Sequence, residues 1–338
     1  MLLIKLSEAI GVSGFEDEVR RIIRDEVSGY VDELFTDTMG NLFAVKRGED
    51  PKGPKVMLAA HMDEVGLLVD MIEQNGMIRF RKVGGIDNRV LLSRRVVIGG
   101  NKVPGVIGAK PIHVQKAEDR NKVVDSDDMF IDIGATSKEE AERLVKVGDP
   151  VGFSVKPRIS GDIVTGKAFD DRAGCAALVE ILKMDRCRAT IYGVFTVQEE
   201  VGLRGSRVAA FRIDPDYAFV IEGTTAWDIP EKRDVSPVTE LGKGPAITIA
   251  DAGMISDRGL VELLMRTGDE NGIRWQVKRS TTGSTDGASI QRAKEGVRTV
   301  TVSIPVRYVH APVGMLDMRD FRATAELVYK SLLKLGGG

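Results

Sequence analysis

Two adjacent glutamates, Glu199 and Glu200, come shortly after an apolar run that covers residues 190–197. The run is rich in β-branched and aromatic residues and too short for an ordinary helix, so it predicts a buried strand. Two neighbouring carboxylates at the end of a strand repel each other and lose hydration if they are partly buried. Such a pair is more often found in a solvated loop than beside compensating cations. The rest of the sequence decides between these two interpretations.

The chain has only three histidines, and two of them lie in positions suited to chemistry. His61 follows the apolar run 56–60, and Asp63 lies on the same side of an extended chain, where its carboxylate could orient the imidazole. His310 comes shortly after the apolar segment 300–304. A histidine near an apolar strand is more often structural than a metal ligand, so neither is decisive alone.

Two further acidic positions occupy similar places. Asp170, followed by Asp171, opens a predicted helix, where an acid is also an ordinary helix cap. Glu222 directly follows the apolar run 217–221. In an open α/β sheet, ligands bind in the crevice beyond the carboxyl ends of the strands. Imidazoles and carboxylates that converge there form a mixed nitrogen and oxygen donor set, which suits Zn²⁺, Co²⁺ or Mn²⁺.

The elements around these residues predict an α/β domain. Ser13 and Glu16 match a helix capping box, and an apolar stripe typical of one helix face follows them. Further apolar runs predict strands at 42–46, 56–60, 190–197, 217–221 and 300–304. Amphipathic segments predict helices at 171–184, 205–211, 258–267 and 319–335. This alternation predicts a mostly parallel sheet with helices on both faces.

Residues 66–164 have a different texture, with short alternating segments separated by glycine-containing turns. Ser137 and Glu140 form a second capping box, which predicts a short helix over 137–145. The segment therefore predicts a smaller β-rich domain. It interrupts an α/β catalytic domain made of residues 1–65 and 165–338.

Composition excludes several function classes. The 338 residues include 48 Lys and Arg against 50 Asp and Glu, so no strong field attracts nucleic acid or an anionic membrane. No apolar stretch approaches the roughly 20 residues that span a bilayer, and the amino-terminal residues lack a signal-peptide pattern. Two cysteines exclude a disulfide framework. We therefore expect a cytoplasmic protein without nucleic-acid or membrane partners.

Four short segments resemble motifs of the M42 family of metallo-aminopeptidases, which includes the tetrahedral aminopeptidases and some members labelled endoglucanases. They read HMDEVG at 61–66, FDDRAG at 169–174, QEEVG at 198–202 and YVHAP at 308–312. The resemblance covers nearly the whole chain, with the four motifs in the family's order. It implies a zinc-peptidase-like fold and, for the insertion, a PDZ-like or barrel domain that takes part in oligomerisation.

The resemblance also implies two divalent ions per subunit, zinc or cobalt, that share the carboxylate of Asp170. The metal ligands that it implies are His61, Asp170, Glu200, Glu222 and His310. Glu199 is implied as the general base and Asp63 as the partner of His61, while Asp171 shapes the backbone beside the shared ligand. Glu222 departs from the family, which more often has Asp at this position, and the extra methylene shifts the carboxylate.

The activity implied is removal of amino-terminal residues from peptides by a metal-bridging water, with Glu199 carrying the proton. The family resemblance implies a homo-oligomer built from dimers, commonly a dodecamer. The sequence does not identify the substrate-binding residues. The polar loop 280–287 resembles a family loop beside the substrate pocket and is equally compatible with a plain turn.

Two other classes of function compete with the aminopeptidase. A carbohydrate hydrolase usually needs two opposed carboxyl groups and no metal, whereas the acids here come with two histidines in ligand-like positions. A non-catalytic scaffold would have lost the base or a ligand, and each of them is in place.

Overall fold

The apolar runs that predict strands at 56–60, 190–197 and 217–221 become neighbouring strands at the centre of one large sheet. The structure is a computed structural model that describes residues 1–229 and 238–335. The strands of the large sheet are Glu33–Thr36 (β1), Leu42–Lys46 (β2), Lys55–His61 (β3), Arg158–Ser160 (β10), Ile163–Gly166 (β11), Thr190–Thr196 (β12), Tyr217–Thr225 (β13), Ala246–Thr248 (β14), Gln276–Val277 (β15), Arg298–Arg307 (β16) and Gly314–Asp317 (β17).

The large sheet is mixed, so the prediction of a mostly parallel sheet is not confirmed. Its main path runs β1-β2-β12-β3-β13-β16-β17-β11-β10, and β14 pairs with β15 and β16. The pairs β12–β3, β3–β13 and β13–β16 are parallel. The outer pairs of the main path are antiparallel, namely β1–β2, β2–β12, β16–β17 and β17–β11. Strands β2 and β17 therefore run opposite to the central parallel strands. Strand–helix alternation therefore describes the centre of the sheet and not its edges.

Helices cover both faces of this sheet, as the sequence predicts. The helices are Leu2–Glu8 (α1), Asp17–Val27 (α2), Lys138–Glu142 (α3), Phe169–Lys183 (α4), Arg204–Ile213 (α5), Arg258–Asn271 (α6), Gly287–Ile290 (α7) and Met318–Lys334 (α8). One buried cluster joins the sheet to α1, α2, α4, α6 and α8, and another joins it to α5 and α7. Successive residues of β3 serve the two faces, since Leu58 packs in the first cluster and Ala59 in the second. Burial on both faces explains why the central strands are continuously apolar.

A second core fills a closed barrel of six strands between β3 and β10. The barrel strands are Gly66–Ile72 (β4), Ile78–Val83 (β5), Arg95–Ile98 (β6), Val103–Gly108 (β7), Phe130–Asp132 (β8) and Pro150–Phe153 (β9). Strand β10 pairs with β11, and β11 pairs with β17 in the large sheet, whereas the sequence pattern places residues up to 164 in the insertion.

The two predicted capping boxes differ in outcome. Ser137 caps α3, since its hydroxyl accepts a hydrogen bond from the backbone N–H of Glu140 at 3.2 Å. The box at Ser13 and Glu16 is wrong, because α2 begins without a side-chain cap and the Ser13 hydroxyl donates to Asp63 instead. The Ser13 hydroxyl therefore donates to a distant carboxylate instead of accepting the local backbone N–H that a capping box requires.

Among the helices of the described ranges, none combines the length and apolarity needed to cross a bilayer.

Candidate metal and catalytic centre

Three central strands deliver the candidate residues to one edge of the large sheet. His61 is the last residue of β3 and lies opposite Thr196, the last residue of β12, so Glu199 and Glu200 follow beside it. On the other side of β3, strand β13 continues to Thr225 and contains Glu222, which the sequence had placed just beyond the strand. Parallel register brings these groups together at the carboxyl ends of the strands.

Asp170 lies between two groups of side chains. Its Oδ1 atom is 3.1 Å from His61 Nε2, which is also 3.2 Å from Glu222 Oε1. Its Oδ2 atom is 3.4 Å from His310 Nε2, which in turn is 3.2 Å from Glu200 Oε2. Each oxygen of this one carboxylate therefore faces a different imidazole and a different glutamate.

These side chains form two potential metal-binding groups that share Asp170. One contains His61 and Glu222, the other contains Glu200 and His310, and within each group one ligand atom per residue lies within 4.8 Å of the others. The donors are imidazole nitrogen and carboxylate oxygen, which suit zinc and related transition metals. Glu200 Oε1 is buried and has no hydrogen-bond partner within the described part of the chain. A buried carboxylate oxygen without a protein partner fits the role of a metal ligand.

The acid–base properties of the cluster reflect a shortage of positive charge. Burial raises the pKa of Glu222 to about 8. Burial opposes protonation of His310, but hydrogen bonds to Asp170 and Glu200 raise the pKa of this histidine to about 11. Burial also opposes protonation of His61, yet the nearby carboxylates raise its pKa well above the ordinary value. These raised pKa values mark the cluster as a place where closely spaced carboxylates favour a bound positive charge.

Glu199 belongs to neither donor group, although it faces the same space. Its Oε2 atom lies 4.0 Å from His61 Nε2, and its side chain is 10% exposed. Burial raises the pKa of Glu199 well above its ordinary value, and the charges of Glu222 and Asp286 add to this shift. A raised pKa suits a carboxyl group that accepts and releases a proton near neutral pH.

Asp63 is fully buried and connects the two segments that bear the site residues. His61 Nδ1 lies 3.0 Å from the carbonyl oxygen of Asp63 and 3.3 Å from its Oδ1 atom, and Oδ1 also accepts the backbone N–H of Glu199 at 3.0 Å. Its Oδ2 atom accepts the backbone N–H of Glu200 at 3.1 Å and the hydroxyl of Ser13 at 2.6 Å. Asp63 therefore orients the imidazole and also fixes the backbone of the glutamate pair.

Asp171 points away from the donor groups and supports the backbone around them. Its carboxylate accepts the N–H of His61 at 3.1 Å and that of Gly174 at 2.9 Å, and the Asp170–Asp171 peptide bond is cis. Cys175 donates from its thiol to the His61 carbonyl, and burial raises the pKa of that thiol. Cys175 is therefore a structural residue rather than a thiolate.

A buried ion cluster lies behind the centre. Glu64 accepts hydrogen bonds from Lys167 Nζ at 2.6 and 2.8 Å and from Arg172 Nη2 at 3.0 Å. Arg172 also donates to the carbonyl of Met62 at 2.8 Å, which holds the segment between His61 and Asp63. Burial lowers the pKa of Lys167 to about 8, while Glu64 opposes this shift. Glu64 is thus paired within the fold, unlike the carboxylates that face the open site.

Several site segments contain non-glycine residues in the left-handed backbone region. Ala168 precedes the Asp170 segment at φ +54°, Gln198 precedes the glutamate pair at φ +55°, and His310 itself has φ +59°. Such conformations are sparsely populated and cluster at functional sites, where the surrounding structure enforces them.

The donor groups open into a cavity of about 600 Å³. Residues 282–285 of the polar loop line it, so this loop does lie beside the site, and His113 lies elsewhere, in a turn over 112–114. Lys278 is the one lysine or arginine among the described residues that line the cavity. Sequence reasoning did not single out Lys278, because an isolated lysine in a polar segment carries no signal.

Comparison with known proteins identifies the family. The sequence model of the M42 glutamyl aminopeptidase family matches residues 40–327. A lysyl aminopeptidase of Pyrococcus furiosus is 36% identical over 98% of this chain and 96% of its own length. The solved TET aminopeptidase of a marine-sediment Thaumarchaeota archaeon superposes with a TM-score of 0.95 at 38% identity, over 99% of this chain and 95% of that chain.

A further similar structure belongs to a peptidase that forms large assemblies. The TET1 peptidase of Pyrococcus horikoshii, which assembles into a tetrahedron or a large octahedral shell, is 36% identical with a TM-score of 0.86 over 98% of each chain. The family model matches most of the chain, and the solved relatives share the fold described above. The chain belongs to the M42 family of aminopeptidases and is a peptide hydrolase.

Proposed function

We propose that this protein is a dinuclear metal aminopeptidase that removes amino-terminal residues from peptides. The observation that supports the proposal most strongly is the position of Asp170, whose two oxygens face separate donor groups. In the proposed centre, His61 and Glu222 would hold one ion, Glu200 and His310 would hold the other, and Asp170 would offer an oxygen to each. The longer side chain of Glu222 reaches this position from within β13, 3.2 Å from His61 Nε2.

The residues then divide the chemistry among themselves. Divalent ions held by these residues, zinc or cobalt, would supply Lewis acidity toward a scissile carbonyl and would favour deprotonation of an attacking water. Glu199 takes the proton from the attacking water and returns it to the leaving amine. Asp63 keeps His61 in the orientation and tautomer that a ligand requires. The carboxylates of the cavity wall provide an acidic docking point for the free α-amine, which restricts cleavage to the amino terminus.

The positive charge of Lys278 in the cavity lining indicates which peptides the site prefers. Lys278 lines the cavity together with hydroxyl-bearing residues of the loop 282–285, and its ammonium donates to the Thr282 carbonyl at 3.3 Å. Among the described residues, the ammonium forms no ion pair with the carboxylates of the donor groups. It therefore favours substrates whose amino-terminal side chain is acidic over those with a basic one.

We also propose a homo-oligomer built from dimers, with a dodecamer as the expected assembly and a cytoplasmic location. The insertion, residues 66–164, exposes apolar side chains that suit a subunit interface, among them Ile112, Val114 and Val123, which are 61%, 55% and 59% exposed. Multi-angle light scattering tests the assembly. Many chains per particle support it, and a fully active monomer would refute it.

Substitution Glu199→Gln tests the general base. The variant loses the group that carries the proton but keeps both donor groups, so kcat falls by about 10²- to 10⁴-fold while bound metal stays at the wild-type level. Hydrolysis of aminoacyl anilides and elemental analysis measure the two quantities. Glu180→Gln, an exposed change on α4, is the matched control and leaves both unchanged. Turnover near the wild-type rate in Glu199→Gln would refute the assignment.

Metal removal tests the electrostatic role of the ions. The pKa of Glu222 is about 8 in the fold against an ordinary 4.5, so the folded state holds a proton that the unfolded state releases between these values. Stability of the metal-free protein therefore declines as pH rises from about 5 to about 8. Added Zn²⁺ or Co²⁺ raises the thermal midpoint more at pH 8.5 than at pH 5.5, because the ions replace those protons.

The control for this experiment is Glu222→Gln, which removes the titrating carboxyl group. Its metal-free form loses less stability between the same two pH values than the wild type does. A metal-induced shift in the midpoint that is equal at both pH values, or absent, would contradict the proposed centre.

Lys278→Ala tests the substrate preference. We expect kcat/KM for a glutamyl anilide, relative to a leucyl anilide, to fall by about 10-fold, because the variant loses the positive charge that faces the acidic side chain. Lys243→Ala removes an exposed lysine outside the cavity lining and should leave the ratio unchanged. An unchanged ratio in Lys278→Ala would remove Lys278 from the substrate pocket.

A further inference from the structure

The segment 11–16, between α1 and α2, contacts both strand ends that carry the site residues. On the β3 side, the N–H of Glu64 donates to the Gly11 carbonyl at 2.9 Å, and the N–H of Gly11 donates back to the Glu64 carboxylate at 3.1 Å. On the β12 side, the carboxylate of Glu16 accepts the N–H of Gln198 at 3.2 Å. The segment therefore spans the gap between the His61 and Glu199 segments.

Ser13 makes the central contact of this segment. It is 7% exposed, and its hydroxyl donates to Asp63 Oδ2 at 2.6 Å. The other groups that contact the Asp63 carboxylate all come from the segments that bear site residues, namely the imidazole of His61 and the N–H groups of Glu199 and Glu200. Ser13 is thus the one partner of Asp63, among those described, that connects this carboxylate to another part of the fold.

The hydroxyl is well suited to fix the orientation of Asp63. A hydrogen bond from a neutral donor to a buried carboxylate is stronger than one between neutral groups, and it has a narrow preferred direction. If it is lost, the remaining described partners of the Asp63 carboxylate all belong to the site segments, and none of them fixes its rotation from outside the site. Asp63 then no longer holds the imidazole of His61 and the backbone of Glu199 and Glu200 in a fixed position relative to one another.

We propose that Ser13 is a positioning residue of the metal centre, which acts through Asp63 to set the orientation of His61 and of the Glu199–Glu200 backbone. The inference rests on the proposed metal centre. It requires no contact between Ser13 and substrate or metal. Glu16 supports it independently, because the same segment holds Gln198, the residue directly before the glutamate pair.

Chelator competition measures the effect without relying on activity. We expect Ser13→Ala to bind Zn²⁺ or Co²⁺ about 3- to 10-fold more weakly than the wild type, less than the 10- to 100-fold typical of residues that contact a ligand directly. The value of kcat falls together with metal affinity at limiting metal and recovers in part when metal is in excess. Ser13→Thr retains the hydroxyl and restores wild-type affinity.

The matched control is Ser28→Ala, an exposed serine after α2 whose hydroxyl contacts the Asp25 carbonyl and nothing in the site. It leaves metal affinity unchanged. Ser13→Cys keeps the approximate side-chain size but is a weak donor, so it should resemble Ser13→Ala even if the alanine variant folds poorly. A double-mutant cycle with Asp63→Asn should show that the two effects on metal affinity are not additive.

Several results would overturn the inference: unchanged metal affinity in both Ser13→Ala and Ser13→Cys, equal weakening in Ser28→Ala, or strictly additive effects of Ser13→Ala and Asp63→Asn. A loss of thermal stability in the metal-free protein with unchanged metal affinity would also overturn it, since that is the result of a purely structural role. If the wild type binds two ions but cleaves no aminoacyl substrate, the proposed function fails while these affinity measurements still test Ser13.

Discussion

Negative charge concentrated at one edge of the sheet is the constraint on which the rest of the site depends. Asp170, Glu199, Glu200 and Glu222 face a common space with only His61 and His310 as partners among the proposed ligands. Burial raises the pKa of Glu222 to about 8, which means that this carboxyl group is poorly supplied with positive charge. Cations held by the proposed donor groups would relieve this repulsion, and Asp170 is the carboxylate that both groups share.

The fold keeps its own charges separate from those of the site. Glu64, only three residues from His61, is neutralised by Lys167 and Arg172, which are both fully buried. The carboxylate oxygens of Asp63 and Asp171 accept hydrogen bonds from backbone N–H groups near the centre. Asp63 and Asp171 thus position the site, whereas the side chains of the proposed metal ligands line the open cavity. The neighbouring residues of one motif therefore have different tasks, because their partners differ.

The sequence predicted the strands that carry the site and the side chains that meet there, because apolar runs, rare histidines and paired acids are local signals. It did not predict the antiparallel edges of the sheet, since strand pairing depends on contacts far apart in the chain. Ser13 shows the same limit: its spacing from Glu16 matches a local cap, but its acceptor is Asp63, 50 residues away. Lys278 lines the cavity because of the path that its segment takes through the fold. No periodic pattern in the sequence predicts that path.

The central claim is that two cations share the carboxylate of Asp170. Anomalous X-ray diffraction from crystals grown with Zn²⁺ or Co²⁺, recorded on both sides of the metal absorption edge, tests it most directly. The account predicts two peaks roughly 3.5–4 Å apart, as in other two-metal sites, one beside His61 and Glu222 and one beside Glu200 and His310. A single peak, or peaks that Asp170 does not join, would contradict it.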